Sequence, residues 1–223
     1  MSPLRRIKHR VTRRFGAPRY FYAVNRVDGK GTDYLMRWEN LLSVADFRAE
    51  DRVLDIGCAE GLITLEVAKL VRHVYGVEPM PERVTFARRH AKELGIENAE
   101  FEVGTIDMPF PEDIDVTLLL DVYGKQKADG SKIATADLCR ILNNTKRQAF
   151  VRVNLEENRP GLTEIIDCCA TCGFEYFCFM RPNNTLANMV VCNRIGTDAR
   201  VPDALPYMIL PTGRAIRLLT KEE

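Results

Sequence analysis

A short turn at positions 55–61 combines glycines with acidic residues and reads Asp55-Ile56-Gly57-Cys58-Ala59-Glu60-Gly61. Its two glycines allow the backbone to turn sharply and to approach a ligand closely. Another acid, Glu78, follows at roughly the 20-residue distance at which α/β nucleotide-binding proteins carry the acid that bonds a ribose. These residue types and this spacing predict a site for a ligand that contains a nucleoside.

The charge around this turn separates the candidate ligands. Neighbouring carboxylates repel a pyrophosphate, which prefers amide donors and helix N-termini. Asp55 and Glu60 lie in the turn, whose spacing is Gly-x-Ala-x-Gly and not the Gly-x-Gly-x-x-Gly of dinucleotide sites. S-adenosylmethionine has no phosphate and carries an ammonium and a sulfonium, both of which a nearby acid favours. The turn therefore favours S-adenosylmethionine over NAD; the alternative reading of Asp55 alone is a helix-capping acid.

Apolar runs that end at glycine or proline, and apolar residues at helical spacing, predict the elements that position this turn. The predicted strands cover residues 52–57, 73–78, 99–103, 115–121, 148–153, 175–180 and 186–193. The predicted helices cover residues 33–42, 62–71, 81–94, 133–142 and 162–171. The turn then follows the first strand, and Glu78 ends the second.

The order of these elements predicts the fold class. Strands that alternate with helices form a parallel sheet covered on both faces. The last two strands are joined by residues 181–185, a connection too short for a parallel crossover, so this pair forms an antiparallel hairpin. We therefore expect an α/β fold with a doubly wound, mostly parallel seven-stranded sheet that ends in an antiparallel hairpin. Ligands of such sheets bind at the carboxyl ends of the strands, where the turn and Glu78 lie.

Two segments resemble motifs of the class I S-adenosylmethionine-dependent methyltransferases. Residues 53–61 resemble motif I of that family, and residues 73–79 resemble its following acidic motif, within a resemblance that covers about 52–194. The resemblance implies that the backbone of the glycine loop contacts the methionine moiety and that the acid ending the second strand bonds both ribose hydroxyls. It assigns cofactor binding to Asp55, Gly57, Cys58, Ala59, Gly61, Glu78 and Pro79. The family usually has glycine where this chain has Ala59.

The family also implies an adenine site after the third strand. It often shows Gly-Asp before a Leu-Pro-Phe-like run, and its acid bonds the adenine amino group. Here the run reads Gly104-Thr105-Ile106-Asp107-Met108-Pro109-Phe110, with Thr105 at the position of the acid. Two alternatives follow: Asp107 bonds the amino group from a shifted loop, or Ile106 packs on the ring while the backbone bonds it. Asp121, at the end of the fourth strand, is expected to face the methionine end and the acceptor.

Methyl transfer mainly requires alignment of donor and acceptor, and an oxygen acceptor of high pKa also requires a base. Asp121, Tyr123 and Asn154, at the ends of the fourth and fifth strands, are the predicted catalytic residues, with Asp121 the first choice for the base. Lys125, Glu156 and Glu157 are further candidates at these ends. A divalent cation held by Asp121, Asn154 and Glu156 is an alternative that we do not favour, so no metal ligand is predicted.

Charge and length divide the chain of 223 residues into three parts. We expect a basic N-terminal arm and helical lid at 1–47, an S-adenosylmethionine-binding methyltransferase domain at 48–195 and a C-terminal tail at 196–223. Residues 1–19 carry seven Arg or Lys residues and no acid, although the whole chain has a net charge of only +1. This arm is either a solvated terminus or a surface for nucleic acid or an anionic membrane.

The cysteine content and the absence of an apolar leader or membrane span predict a cytoplasmic protein with reduced thiols. Seven cysteines are present, and we interpret Cys169-x-x-Cys172 as buried packing in preference to a metal or redox motif. The favoured function is O-methylation of a small molecule such as a sugar or secondary metabolite. The alternatives are an RNA- or protein-modifying methyltransferase that uses the basic arm, and a non-catalytic module that binds the methyl donor or NAD.

Overall fold

The structure is a computed structural model that describes residues 38, 41–42, 44–120, 122, 127, 129–152, 159–181 and 184–198, with backbone alone at 159–163, 176–181 and 184–188. The chain divides into two compact units, residues 1–41 and 42–223. In the first unit only Trp38 and Leu41 are described, and both have helical backbone. The helix predicted at 33–42 is described only at Trp38, Leu41 and Leu42. The arm at 1–19 and the tail beyond residue 198 lie outside the described residues. The boundaries predicted after residues 47 and 195 stay predictions.

Within the described residues, seven strands form one sheet. They are β1 (Arg52–Ile56), β2 (His73–Glu78), β3 (Ala99–Val103), β4 (Ile114–Leu120), β5 (Thr145–Arg152), β6 (Phe174–Arg181) and β7 (Asn184–Arg194). Their order in the sheet is β3-β2-β1-β4-β5-β7-β6. The first five strands pair in parallel, whereas β7 pairs antiparallel with both β5 and β6. The predicted mostly parallel sheet with a closing antiparallel hairpin is therefore confirmed.

Four helices of the described residues connect these strands: α1 (Leu62–Ala68), α2 (Pro81–Leu94), α3 (Thr135–Asn144) and α4 (Arg159–Thr171). The bounds of α2 match the prediction because Pro81 opens it and Gly95, with φ 66°, ends it in the left-handed region. The prediction that α1 continues to Val71 is wrong. The side-chain amide of Asn98 donates to the carbonyls of Ala68 (2.7 Å) and Val71 (3.0 Å), and these bonds hold the chain in a turn there.

Side chains that alternate along β1 show that both faces of the sheet are covered. Leu54 and Ile56 pack in a buried cluster that includes residues of α3 and α4, such as Leu138 and Ile165. Asp55, between them, bonds α1 instead. Because neighbouring residues of a strand face opposite sides, helices lie on both faces of the sheet, as predicted. None of the helices in the described part of the chain combines the length and hydropathy that a membrane crossing requires.

Candidate functional site

The glycine turn is fixed against the carboxyl end of the neighbouring strand. The amides of Gly57 and Cys58 both donate to the carbonyl of Val77 in β2, at 2.7 and 3.1 Å. Gly57 and Gly61 both have φ 76°, in the left-handed region that favours glycine. The chain therefore leaves β1, folds against β2 and enters α1 within five residues.

Close neighbours also leave no room for a side chain at either glycine. A Cβ at Gly57 would overlap the side chain of Val122, the residue that follows Asp121 after β4. A Cβ at Gly61 would lie 2.8 Å from the ring of Phe101 and 2.9 Å from the Cβ of Ala87. Gly57 thus allows the turn to approach the end of β4, where the methyl acceptor was predicted to bind.

Glu78 is directed into this turn. The residue is 4% exposed; one carboxylate oxygen accepts from the amide of Ala59 at 3.1 Å, and the other accepts from the amide of Met80 at 3.3 Å. A carboxylate oxygen can accept two hydrogen bonds, so each retains capacity for a ligand hydroxyl. Among the described residues, Arg83 is the cation that approaches Glu78, with its Nη1 4.0 Å from Oε1.

Asp55 is the second buried acid at this edge, with 2% exposure, and it accepts from the hydroxyl of Thr64 at 2.6 Å. Burial raises the pKa of Asp55 to about 6; the Thr64 bond opposes this shift and the charge of Glu78 adds to it. Helix α1 has no side-chain cap, so Asp55 does not cap its backbone. The capping interpretation of Asp55 is therefore wrong, because its carboxylate accepts a hydrogen bond from the hydroxyl of Thr64 inside the helix.

Cys58, Ala59 and Pro79, the other residues predicted to bind the cofactor here, differ in burial and backbone conformation. The side chain of Cys58 packs among Leu65, Val84 and Phe101, and this burial raises the pKa of its thiol. Only the backbone of Cys58 is then suited to meet a ligand. Ala59 is left-handed, with φ 51°, although it is not glycine. Pro79 follows Glu78 and is exposed.

The predicted adenine residues lie in two different environments. Ile106 is 4% exposed and packs in the main core cluster. Asp107 is exposed and pairs with Lys127 at 2.8 Å, and Lys127 also pairs with Asp137 of α3 at 2.7 Å. Lys127 thus ties the connection between β4 and α3 to the loop after β3. No pattern in the sequence singles out Lys127, and the adenine roles of Ile106 and Asp107 stay predictions.

The predicted catalytic residues Asp121, Tyr123 and Asn154 lie outside the described residues, as do the further candidates Lys125, Glu156 and Glu157. The strand ends that precede them are described: Leu120 of β4 and Arg152 of β5 are paired in register. Arg152 is buried, with 6% exposure, and was not predicted as a residue of this edge.

Comparison with known proteins identifies the family of this chain. The model of the family described as "Methyltransferase domain" matches residues 47–172, more than half of the chain. The chain belongs to this family. The predicted class I S-adenosylmethionine-dependent methyltransferase is confirmed at the level of the family, and the seven-stranded fold agrees with it.

Two curated relatives of this methyltransferase are similar to it over part of their length. YcgJ of Bacillus subtilis, named as an uncharacterised methyltransferase, is 31% identical over 128 residues, which cover 57% of this chain and 50% of YcgJ. An RNA methyltransferase of Halalkalibacterium halodurans, also named as uncharacterised, is 34% identical over 93 residues, covering 42% of this chain and 19% of that protein. The chain thus spans about half of the first relative and about a fifth of the second.

A solved structure shows the same fold with the expected cofactor in place. Magnesium protoporphyrin IX methyltransferase of Synechocystis PCC 6803, solved with bound SAM, matches with a TM-score of 0.55 and 17% identity. The match covers 78% of this chain and 79% of that one. At this identity the likeness concerns the fold alone.

Proposed function

We propose that this methyltransferase binds S-adenosylmethionine between the turn at 57–61 and Glu78 and transfers its methyl group to an acceptor at the ends of β4 and β5. The backbone of the turn meets the methionine moiety, and Glu78 bonds the ribose hydroxyls. The observation that carries this proposal is the placement of the Glu78 carboxylate, buried and bonded to the amide of Ala59 inside the turn. A ribose at this edge would find both carboxylate oxygens with capacity to accept.

Electrostatics support a cationic ligand over a pyrophosphate. Asp55 and Glu78 are both buried at the same edge of the sheet, and a further negative group, such as a pyrophosphate, would be repelled there. The approach of Arg83 is long, at 4.0 Å, and its other described partner at this edge is Glu60, 3.5 Å away. The ammonium and sulfonium of the methyl donor compensate such acids, whereas the diphosphate of NAD does not.

For the acceptor, we propose a small molecule that is methylated on oxygen. Asp121 acts as the base or positions the acceptor, with Tyr123 and Asn154 as the other catalytic residues. Asp121 and Tyr123 follow β4, which pairs with β1 beside the turn, and Asn154 follows β5, which pairs with β4. The connection at 123–132 follows β4 and is available to shape an acceptor pocket. Lys127 supports a fixed position for this connection, because it pairs with both Asp107 and Asp137. The cytoplasmic location stays a prediction.

RNA is the second candidate acceptor, and two observations favour it. Residues 1–19 carry seven basic residues and no acid, and one of the curated relatives is named as an RNA methyltransferase. The matched segment is only 19% of that relative. We rank RNA second because a shared donor-binding domain does not carry the acceptor with it.

Calorimetry tests the donor site directly. We expect S-adenosylhomocysteine to bind the full chain with one-to-one stoichiometry and NAD to give no binding heat. Binding of NAD with no binding of S-adenosylhomocysteine would overturn the proposal.

A second experiment separates the two acceptors. Transfer of a labelled methyl group is followed with metabolite fractions and with total RNA, for the full chain and for a variant that lacks residues 1–19. A small-molecule enzyme labels the metabolite fraction equally with and without the arm. Labelling of RNA that requires the arm, with RNA affinity that falls steeply as salt rises, would establish RNA as the acceptor instead.

A further inference from the structure

Three cysteine side chains converge between α3 and α4, and none of them belongs to the predicted cofactor or catalytic residues. Cys139 comes from α3, Cys168 from α4, and Cys172 directly follows α4. Their three Sγ atoms all lie within 4.8 Å of one another. Cys139 and Cys168 are joined by a disulfide, and the Sγ of Cys172 is 3.9 Å from that of Cys168. The expectation of reduced thiols therefore fails for the Cys139–Cys168 pair.

Helix geometry explains why these three meet. Residues four apart lie on one face of a helix, and the amide of Cys172 donates to the carbonyl of Cys168 at 2.9 Å in the helical manner. The face that they share contacts α3: the Sγ of Cys168 is 3.7 Å from the carbonyl oxygen of Thr135, and the Sγ of Cys172 is 3.8 Å from the carbonyl oxygen of Cys139. The pair that matters is thus Cys168 and Cys172, and not the Cys169-x-x-Cys172 pattern of the sequence.

The separation of the sulfurs fits the coordination of a thiophilic ion. Zinc–thiolate bonds of about 2.3 Å in a tetrahedron place neighbouring sulfurs about 3.8 Å apart. The distance between Cys168 Sγ and Cys172 Sγ, 3.9 Å, agrees with that edge. We propose that Cys139, Cys168 and Cys172, once the disulfide is reduced, bind a thiophilic divalent ion such as Zn²⁺ as three thiolates, with a water in the fourth position.

Burial and charge around the cluster suit this assignment. Cys168 is 2% exposed, whereas Cys139 and Cys172 are half-buried, so one side of the cluster remains open to a fourth ligand. Three thiolates and one divalent cation leave a net negative charge. The guanidinium of Arg194, which donates to the carbonyl of Cys172 at 3.4 Å and lies over the ring of Phe174, compensates that charge.

Binding of the ion requires reduction of the disulfide and loss of three protons. A phosphine or dithiol reductant provides the two electrons that convert the Cys139–Cys168 disulfide into two thiols, with two protons taken from solvent. Each of the three thiols then releases its proton as it binds the ion. The second close pair, Cys169 and Cys192, with Sγ atoms 2.7 Å apart, is fully buried between α4 and β7 and is not part of this site.

Cobalt(II) provides the test, because thiolate ligands give it an intense sulfur-to-metal charge-transfer band. The full chain is reduced with a phosphine, freed of metal with a chelator and titrated with Co²⁺, and then Zn²⁺ is added. We expect a band that saturates at one ion per chain and is lost when Zn²⁺ displaces cobalt. Native mass spectrometry is expected to show the same single ion.

The variants assign the ligands. Cys172→Ser and Cys139→Ser are each expected to weaken Co²⁺ binding by about tenfold or more and to reduce the charge-transfer intensity. Cys192→Ala, in the second close pair, is the matched control and is expected to leave the band unchanged. Absence of the band in the reduced wild-type chain, or an unchanged band in Cys172→Ser, overturns the proposal. Binding of S-adenosylhomocysteine by the same samples reports separately on the methyl-donor site.

Discussion

At the amino end of β1 the buried acid Asp51 pairs with Arg147, whereas at its carboxyl end the buried acids Asp55 and Glu78 bond a hydroxyl and backbone amides. Nη2 of Arg147 lies 2.5 Å from Oδ2 of Asp51, and Arg147 also donates to the carbonyl of Asp46 at 2.8 Å. Both regions remove carboxylates from water, which is costly unless they are compensated. Only the first of them compensates its acid with a cation held by the fold at close range.

The acids at the two ends of β1 therefore differ in whether they are available to a ligand. Asp51 is paired with Arg147 within the fold, so it offers nothing to a ligand. Asp55 and Glu78 carry charge that the described residues leave without a close cationic partner, Arg83 being 4.0 Å from Glu78. A cationic ligand would compensate the acids at the carboxyl end as Arg147 compensates Asp51 at the amino end.

The largest expected effect is at the amino end. Arg147→Met removes the cation and leaves Asp51 buried without it, which typically costs about 3–5 kcal/mol of unfolding free energy. Urea unfolding measures this loss, and binding of S-adenosylhomocysteine at low temperature should be retained. Lys146→Met is the matched control: its pair with Asp113 is exposed at both ends, so little change is expected. Equal stability of the two variants would contradict the distinction between the ends.

At the carboxyl end, Glu78→Gln is expected to affect binding more than folding. Hydrogen bonds to charged groups contribute about 1.5–3 kcal/mol, so affinity for S-adenosylhomocysteine should fall roughly 10- to 100-fold. Calorimetry measures the affinity and urea unfolding the stability. Glu82→Gln, in the exposed first turn of α2, is the control and should bind as the wild type does. If Glu78→Gln binds normally, Glu78 does not bond the ribose.

The third prediction concerns pH. A bound cation favours the ionised form of Asp55, so binding must displace its proton whenever pH is below the pKa of about 6. Affinity for S-adenosylmethionine should be constant above pH 7 and fall by up to about tenfold per unit below pH 6. In the protein without ligand, pH acts on folding stability in the opposite direction. Because burial raises the pKa of Asp55 from 3.8, the contribution of Asp55 to stability declines as pH rises from about 4 to 6.

Calorimetry from pH 5 to 8 measures this dependence, and Asp55→Asn provides its control. That variant has no proton to lose at this position, so its affinity should be lower than that of the wild type at pH 8 and flat across the range. A wild-type affinity that is independent of pH, or an equal slope in the variant, would remove Asp55 from the donor site.

Strand and helix bounds were predictable where Gly and Pro limit an element and not where a distant side chain does. The bounds of β2, β3 and α2 match their predictions: Pro79 follows β2, Pro81 and Gly95 limit α2, and Gly104 follows β3. The start of β5 was missed by three residues because Thr145, Lys146 and Arg147 are polar. Thr145 is buried against the hydroxyl of Thr117 at 2.7 Å, and Arg147 against Asp51, contacts that no local pattern encodes.

The candidate site divides in the same way. Its glycines and Glu78 could be predicted because parallel strands end at one edge, so residues far apart in the chain meet there. Lys127 could not, since its ion pairs with Asp107 and Asp137 depend on how the connection after β4 folds back. The convergence of Cys139 with Cys168 and Cys172 likewise depends on the packing of α3 against α4.

The smallest expected effect lies inside the turn itself. Ala59 has φ 51°, a left-handed conformation that costs an L-residue about 1–2 kcal/mol relative to glycine, while glycine has the greater entropy to lose on folding. Ala59→Gly should therefore stabilise the chain by about 1 kcal/mol or less, measured by urea unfolding. Its amide still donates to Glu78, so S-adenosylhomocysteine affinity should be equal or slightly higher. A loss of affinity would mean that the Ala59 methyl group packs on the ligand, and that the carboxyl end recognises shape as well as charge.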